Sequence, residues 1–263
     1  MTVVLLDQAE WGVLHAQFLL QKGEARNRAH AMRAVDLLVP QTCAELLDAL
    51  TALIGSPSRR VTASLLAKRI AFLTTASSLY AMSMYDKALD LSLENCYVDY
   101  HYANRRWQSG MPLENLTASV PQPGERAEWR RKVVAQLFAG NLSRLWQSLA
   151  NVAKVPLPVL WENTAVRVYS LYERRMLDMD KENKCPHAQN RVREDFDYLV
   201  RDADAALFGT DENPLATFFR PKQHIQHTPH AAQPVRVRKT CCYYYKASEP
   251  QEYCSVCPLN RKS

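Results

Sequence analysis

A mainly α fold, with a short β segment and a Cys-rich loop at the C-terminal end, is predicted by three features of the 263-residue sequence. Glycine is scarce at seven residues, whereas a sandwich or barrel needs many Gly-rich turns. Leu and Ala, both good helix formers, are abundant. Over several long stretches the apolar residues recur at steps of three and four, the pattern of helices that bury one face. With 47% hydrophobic and 23% charged residues the chain can bury a core as one or two domains, which excludes a disordered tail or a fibrous repeat.

The periodic stretches follow one another in order. Residues 43–54 and 61–79 read as the first two helices, separated by the turn Gly55-Ser56-Pro57. The most apolar run, residues 70–84, is short and interrupted by Thr and Ser, so a transmembrane span is not expected. A second break, Pro121-Gln122-Pro123-Gly124, divides an N-terminal helical region, 1–118, from a second helical region, 125–263. Val134, Leu137, Phe138, Leu142, Leu145, Trp146 and Leu149 mark one face of the next helix. Residues 162–177 and 195–207 read as helices too, set off by breaks at 155–158 and 183–187. Beyond Phe208, prolines 214, 221, 229 and 234 exclude a long helix, and residues 234–238 alternate apolar with basic like a short strand.

Charge is placed unevenly. The net charge is +6, and residues 215–263 hold eight bases, among them Arg236, Arg238 and Lys239, against two acids, Glu249 and Glu252. The rest of the chain is balanced. The opening residues have no basic n-region and soon meet Asp7 and Glu10, so a cytoplasmic protein is expected, free or peripheral to the inner membrane. In a reducing compartment clustered cysteines are read first as metal-binding or catalytic rather than as disulfides.

Four of the seven cysteines stand as Cys241-Cys242, eleven intervening residues, then Cys254-Ser255-Val256-Cys257. A CxxC turn directs two thiolates at one metal, and a second pair alongside completes four sulfur ligands, which suits either zinc or an iron–sulfur cluster. Adjacent cysteines are unusual for zinc, and they can converge only if the backbone turns between them. Spacing alone leaves both metals open.

The segment from Val237 through Cys242 with Cys254 and Cys257 resembles the C-terminal signature of the FhuF family, the ferric siderophore reductases. Residues 159–164, containing Trp161, Asn163 and Thr164, resemble that family's Trp and Asn segment, and Glu212-Asn213-Pro214-Leu215 resembles its Asn-Pro-Leu segment. The gap between cysteine pairs is one residue longer than the family's usual ten, a change that a loop absorbs. The resemblance implies a FhuF-like helical fold in which Cys241, Cys242, Cys254 and Cys257, within a segment spanning 235–258, hold a [2Fe-2S] cluster. It implies one-electron reduction of an iron(III) siderophore, of hydroxamate type, to release iron(II), with no catalytic residue beyond the cluster ligands. Arg236, Arg238 and Lys239 are the candidate contacts to the chelate or to an acidic donor protein. The competing reading is a zinc-stapled, non-enzymatic binding module with a basic tail.

Other features read structurally. Tyr243, Tyr244 and Tyr245 are expected to pack on the helical body, His224, His227 and His230 to lie in a loop, and Cys43 and Cys96 to be core. Cys185 beside His187 is read as a loop, and Asn163 or Thr164 as a helix cap next to a packed Trp161. A GxGxxG, P-loop or GxSxG motif is absent from the sequence, so the electron is expected from a partner protein or reductant. The modest basic excess comes with no recognised nucleic-acid motif, and no nucleic-acid partner is expected.

Overall fold

The computed structural model describes residues 2–176, 186–224 and 234–261; Cys185, His227 and His230, read above as loop residues, lie outside them. The fold is mainly helical, built round α3 (Arg59–Tyr85). Ser58 caps its start through a bond from the Val61 amide, and Asp86, with φ of 51°, ends it. This helix is buried on nearly every side, although Ser and Thr are common along it. Those hydroxyls bond back to the preceding turn, Thr75 to the Ala71 carbonyl at 2.6 Å and Ser77 to that of Leu73 at 3.0 Å, so they enter the core already satisfied.

Around α3 pack α1 (Gln8–Phe18), α2 (Pro40–Ile54), α5 (Ser143–Ala153), α6 (Leu157–Ser170) and α7 (Pro186–Asp197). Helix α1 opens on a capping box in which Asp7 and Glu10 each accept the other's amide at 2.8 Å. Helix α2 ends at Gly55, whose φ of 66° suits a residue without Cβ. Helix α4 (Arg126–Ala135) runs through a π-helical stretch, Gln136–Leu142, into α5. The periodic face expected over residues 133–149 is therefore one continuous helical path with a bulge in it. Similar stretches, Leu171–Arg175 and Tyr198–Asp202, extend α6 and α7. The helix expected from 195 begins at Pro186 and breaks at Ala203. Short α8 (Pro214–Thr217) is capped by Asn213, which accepts from the Leu215 and Ala216 amides and donates to the Leu199 and Ala203 carbonyls.

The first half holds more β-structure than expected. Strands β1 (Thr2–Val4), β4 (Ala88–Leu89) and β9 (Ala118–Val120) form an antiparallel sheet in the order β1-β9-β4. Strand β2 (Leu20–Lys22) pairs in parallel with β8 (Met111–Leu113), and β3 (Ala31–Arg33) pairs antiparallel with β5 (Tyr97–Asp99). A hairpin joins β6 (Tyr102–Ala103) to β7 (Arg106–Trp107). Each of these strands has two or three residues, too few for alternation to register in the sequence. The strand expected over 234–238 is corrected to a single bridge, Val235 to Gln223, because Arg236 and Arg238 both turn to partners inside the protein.

One buried carboxylate ties α3, α4 and α7 together. Asp195, fully enclosed, accepts two bonds from the Arg126 guanidinium at 2.8 Å, one from Arg130 at 3.0 Å and one from Ser83 Oγ at 2.8 Å. Arg126 reaches on to Asp86 at 2.6 Å, and Arg191 bonds the last carbonyls of α3. Asp195→Ala leaves two guanidiniums without their main partner, so the unfolding free energy is expected to fall by about 3–5 kcal/mol. Urea denaturation measures this, and a loss below about 1 kcal/mol would show that the network is not the tie described here.

Candidate functional site

The site is built where α6 meets the C-terminal segment. Glu162 and Asn163 lie within α6, whose N-cap is Pro156, so the expectation that Asn163 or Thr164 caps the helix is corrected. Thr164 instead bonds the Leu160 carbonyl and accepts the Trp146 indole N–H at 3.1 Å. Trp161 packs near Phe138 and Phe208, as expected. Glu162, 3% exposed, accepts the backbone amides of Lys239 at 2.6 Å and Thr240 at 2.7 Å and the Thr240 hydroxyl at 2.5 Å. Asn163 accepts from Arg238 Nη1 at 2.8 Å and donates to the carbonyl and hydroxyl of Ser64 on α3. Ser64 Oγ then donates to the Cys242 carbonyl at 2.9 Å.

These bonds fix the backbone that carries Cys241 and Cys242 from one side. The other cysteine pair is attached by the Arg238 amide, which donates to the Val256 carbonyl at 3.0 Å, and is closed by the Cys257 amide on the Cys254 carbonyl at 2.9 Å. Tyr243 takes a left-handed φ of 61°, and its amide donates to Cys241 Sγ at 3.3 Å. The left-handed turn therefore follows the cysteine pair and folds the Tyr243 amide back onto the Cys241 sulfur. Tyr245 stacks on Tyr253 at 5.1 Å, bracing the loop between the pairs, and Tyr243 packs on the core. Tyr244 differs from expectation by lining a cleft.

The four thiols feel one another electrostatically, with Cys242 and Cys254 in direct hydrogen bond. That bond, with Lys68 and Arg238 nearby, holds Cys242 far below the ordinary thiol range against the effect of burial. The same bond and burial push Cys254 up. Burial raises Cys241. Among the described residues no three Cys, His, Asp or Glu side chains stand close enough to enclose a single metal ion. The donors are soft sulfurs, the charge of Arg238 reaches Cys241 and Cys242, and its buried Nη2 has no partner among the described residues. A thiolate-held, net-negative two-iron cluster suits this donor set, since each iron takes two sulfurs and a buried cation offsets the charge. Cys43 and Cys96 are buried in the core away from this segment.

The three expected basic contacts have separate placements. Arg236 forms a two-pronged bond with Glu173 at 3.0 Å, donates to the Arg220 carbonyl and lies over Phe219 at 4.2 Å. Although burial raises it, bonds from Arg236 and Lys222 hold the Glu173 carboxyl below the usual range. Arg238 is buried against α6, and Lys239 is exposed with Nζ 5.9 Å from the centre of the Phe218 ring. The sequence reading missed Lys68 on α3 and Arg167 on α6, whose charges reach Cys242 and Cys254. Burial lowers the pKa of both. For Lys68 the signal was available: the pair Lys68-Arg69 inside the apolar stretch from Leu66 to Ile70 is out of place on a purely core-facing helix.

Two clefts flank the cysteines and share Lys68 and Arg167 in their walls. One, about 220 Å³, is lined by Cys254, Arg236 and Arg238. The other, about 370 Å³, reaches from Tyr244 to the β6–β7 hairpin.

A family model described as ferric iron reductase FhuF-like transporter matches residues 64–226. The match begins at Ser64, takes in Lys68, Glu162, Asn163 and Arg167, and stops before the cysteine pairs. No curated protein matches the chain. No helix among the described residues is long and apolar enough to cross a membrane.

Two outcomes check this geometry. Glu162→Gln turns an acceptor of three bonds into a group with a donor facing donors, so stability should drop by about 1–3 kcal/mol and a thiol reagent should label Cys242 and Cys257 faster; unchanged labelling would contradict the clamp. In cluster-free protein the Cys242–Cys254 pair should hold one proton across neutral pH. Because the folded pKa of Cys242 lies below its unfolded value, its thiolate contributes stability above the unfolded pKa and loses it as pH falls through the folded one. The raised Cys254 acts oppositely, contributing below the unfolded thiol pKa and losing stability as pH rises. Thiolate absorbance near about 240 nm should therefore show a step well below pH 8.5, absent in Cys242→Ser.

Proposed function

Because the chain belongs to the FhuF-like ferric iron reductase family, we propose that it reduces siderophore-bound iron(III) by one electron to release iron(II), with a [2Fe-2S] cluster held by Cys241, Cys242, Cys254 and Cys257. The observation that carries this reading is the clamp from Glu162, Asn163 and Ser64, which fixes one cysteine pair against the other with Cys242 touching Cys254. When bound, such a cluster supplies single electrons at a potential set by its charge, its hydrogen bonds and its exposure to water.

The chain's own residues would act on the last two. Arg238, whose charge reaches Cys241 and Cys242, has a guanidinium held by Asn163 and the Thr240 carbonyl and an Nη2 without a partner among the described residues. Glu162 carries the opposing charge but spends its lone pairs on Lys239 and Thr240, so the thiols face the cation. Cys242 and Cys257 are buried, while Cys241 and Cys254 are partly open. That leaves one edge through which a chelate or a donor can approach. Siderophores hold iron through hard oxygens that prefer the trivalent ion, so one electron weakens the chelate, and reduction is the release step. The electron donor is proposed to be a separate protein or reductant.

Protein purified without oxygen should contain about two irons and two acid-labile sulfides per chain, with visible bands that bleach on reduction. Each of Cys241→Ser, Cys242→Ser, Cys254→Ser and Cys257→Ser should lose that chromophore and the reduction of iron(III) siderophores, followed with an iron(II)-specific dye. One zinc per chain and no sulfide would overturn this reading in favour of the zinc-stapled module.

A further inference from the structure

The larger cleft beside the cysteine loop carries charge of one sign. Its walls contain Lys68, Arg69, Arg105, Arg167 and Arg175, and no acid among the described residues lines it. Guanidiniums keep their charge at neutral pH even when burial lowers them, as it lowers Arg69 to about 10. A cleft so lined focuses its field and draws in the opposite charge. Lys68 and Arg167 also belong to the wall of the smaller cleft, where exposed Arg174 continues the positive surface. The cations therefore spread across both clefts, more than one small anion would cover.

The two outermost cations are held out toward solvent. Arg105 stands at the tip of the β6–β7 hairpin, in a two-residue loop, Asn104-Arg105, with φ of 53° and 59°. Such a loop favours Asn then Gly, which has no Cβ to crowd the left-handed backbone. Tyr102 and Trp107 pack edge to face below it and brace the hairpin. Arg175, exposed on the other side, lies 5.0 Å from the centre of the Phe72 ring. Deeper in, Arg69 is held by Ser109, whose hydroxyl accepts its Nε at 2.7 Å and whose carbonyl accepts its Nη2. A rim of exposed arginines with aromatic rings between them has the composition of a protein interface, because Arg pairs two-pronged with carboxylates and stacks on rings.

We propose that this cleft and its rim dock the electron donor, a small acidic protein whose one-electron centre lies at its surface among carboxylates. The inference rests on the reductase reading and names its partner. A chelate made by three hydroxamates is neutral, or cationic when an amine is appended, and gains nothing from five like charges. A carboxylate-rich donor gains from all of them, and transient electron-transfer pairs bury little area and rely on complementary charge for fast encounter. The placement suits the task. Tyr244, in the wall of the cleft, donates its amide to the Cys242 sulfur, and Cys254 lines the adjoining cleft. In each encounter the donor is oxidised by one electron and one iron(III) is reduced to iron(II), and no bond forms or breaks in docking.

Flavodoxin, a small acidic protein whose flavin hydroquinone gives single electrons, serves as the probe. Titration calorimetry with oxidised flavodoxin and the cluster-loaded full chain reads docking apart from electron transfer. Binding should weaken at least about tenfold between about 20 and about 200 mM salt. Arg105→Glu and Arg175→Glu should each weaken it about fivefold or more, whereas Arg105→Lys, Arg175→Lys and, on another face, Lys132→Glu should stay within about twofold of the parent. Basic cytochrome c should not bind. In stopped flow, flavodoxin hydroquinone should turn to its blue semiquinone as it delivers one electron, more slowly in the two Glu variants. No flavodoxin binding, equal binding of cytochrome c, or unchanged affinity in both Glu variants would overturn the proposal. So would displacement of flavodoxin by a redox-inert gallium(III) trihydroxamate, which would give the cleft to the chelate, or tighter binding of a single-stranded oligonucleotide. Electron delivery at one rate in every variant would overturn the docking site and leave the reductase reading standing. Charge-dependent docking with no iron(III) siderophore reduced would do the reverse.

Discussion

A carboxylate placed inside a helix and removed from water must find its hydrogen bonds nearby, and Glu162 finds them on another segment's backbone. Its two oxygens take the amides of Lys239 and Thr240 and the Thr240 hydroxyl, a number that satisfies a buried carboxylate without a full ion pair. Arg238, 3.5 Å away, supplies the charge balance. With Asn163 on Arg238 and Ser64 on Cys242, the Glu162 anchor holds the first cysteine pair, and the second pair is attached through the Arg238 amide. The geometry of the C-terminal site is in this sense set by side chains of α3 and α6, far upstream in sequence and adjacent in space.

The same logic explains the sequence of polar groups leading inward. Ser64, Asn163 and Arg238 form a chain in which each donor meets an acceptor, and the last of them, Arg238, carries a buried Nη2 without a partner among the described residues. A buried donor left open is unfavourable unless something arrives to accept from it. The charge of the same guanidinium reaches Cys241 and Cys242. The network is rigid because α3 and α6, the two helices that supply it, are packed against each other along their length.

Much of the fold was legible in the sequence and the core of the site only partly so. Helical periodicity marked α2, α3, α5 and α6, since each buries one face or more in a repeating pattern. The two- and three-residue strands gave no period to read, and the 234–238 alternation misled because arginines that turn inward to Glu173 and Asn163 look the same in sequence as arginines facing water. The cysteine pairs were visible as a pattern. Glu162 was not, because a lone acid on a helix is indistinguishable from a solvent-facing one until its partner segment is placed. The Asn163 reading failed for the same reason: an Asn after two prolines fits a cap, but Pro156 already starts the helix nearly two turns earlier.

Charge placement along the chain marks its C-terminal end, and the structure shows where those charges go. Three of the eight bases in the last fifth are turned to internal partners: Arg236 to Glu173, Arg238 to α6, Lys222 to Glu173. The cations that line the larger cleft come from the balanced part of the chain, Lys68 and Arg69 from α3, Arg105 from a hairpin, Arg167 and Arg175 from α6 and its extension. Their acids are elsewhere; Asp99, the nearest to Arg69, is turned to the amides of His101 and Gly110. A local excess of charge therefore arises in three dimensions from segments that are neutral in one, through the separation of each cation from its sequence neighbours by the packing of α3 and α6. Such an excess resists folding by self-repulsion, and beside it stand the Cys242 and Cys254 sulfurs, which the charges of Lys68 and Arg167 reach.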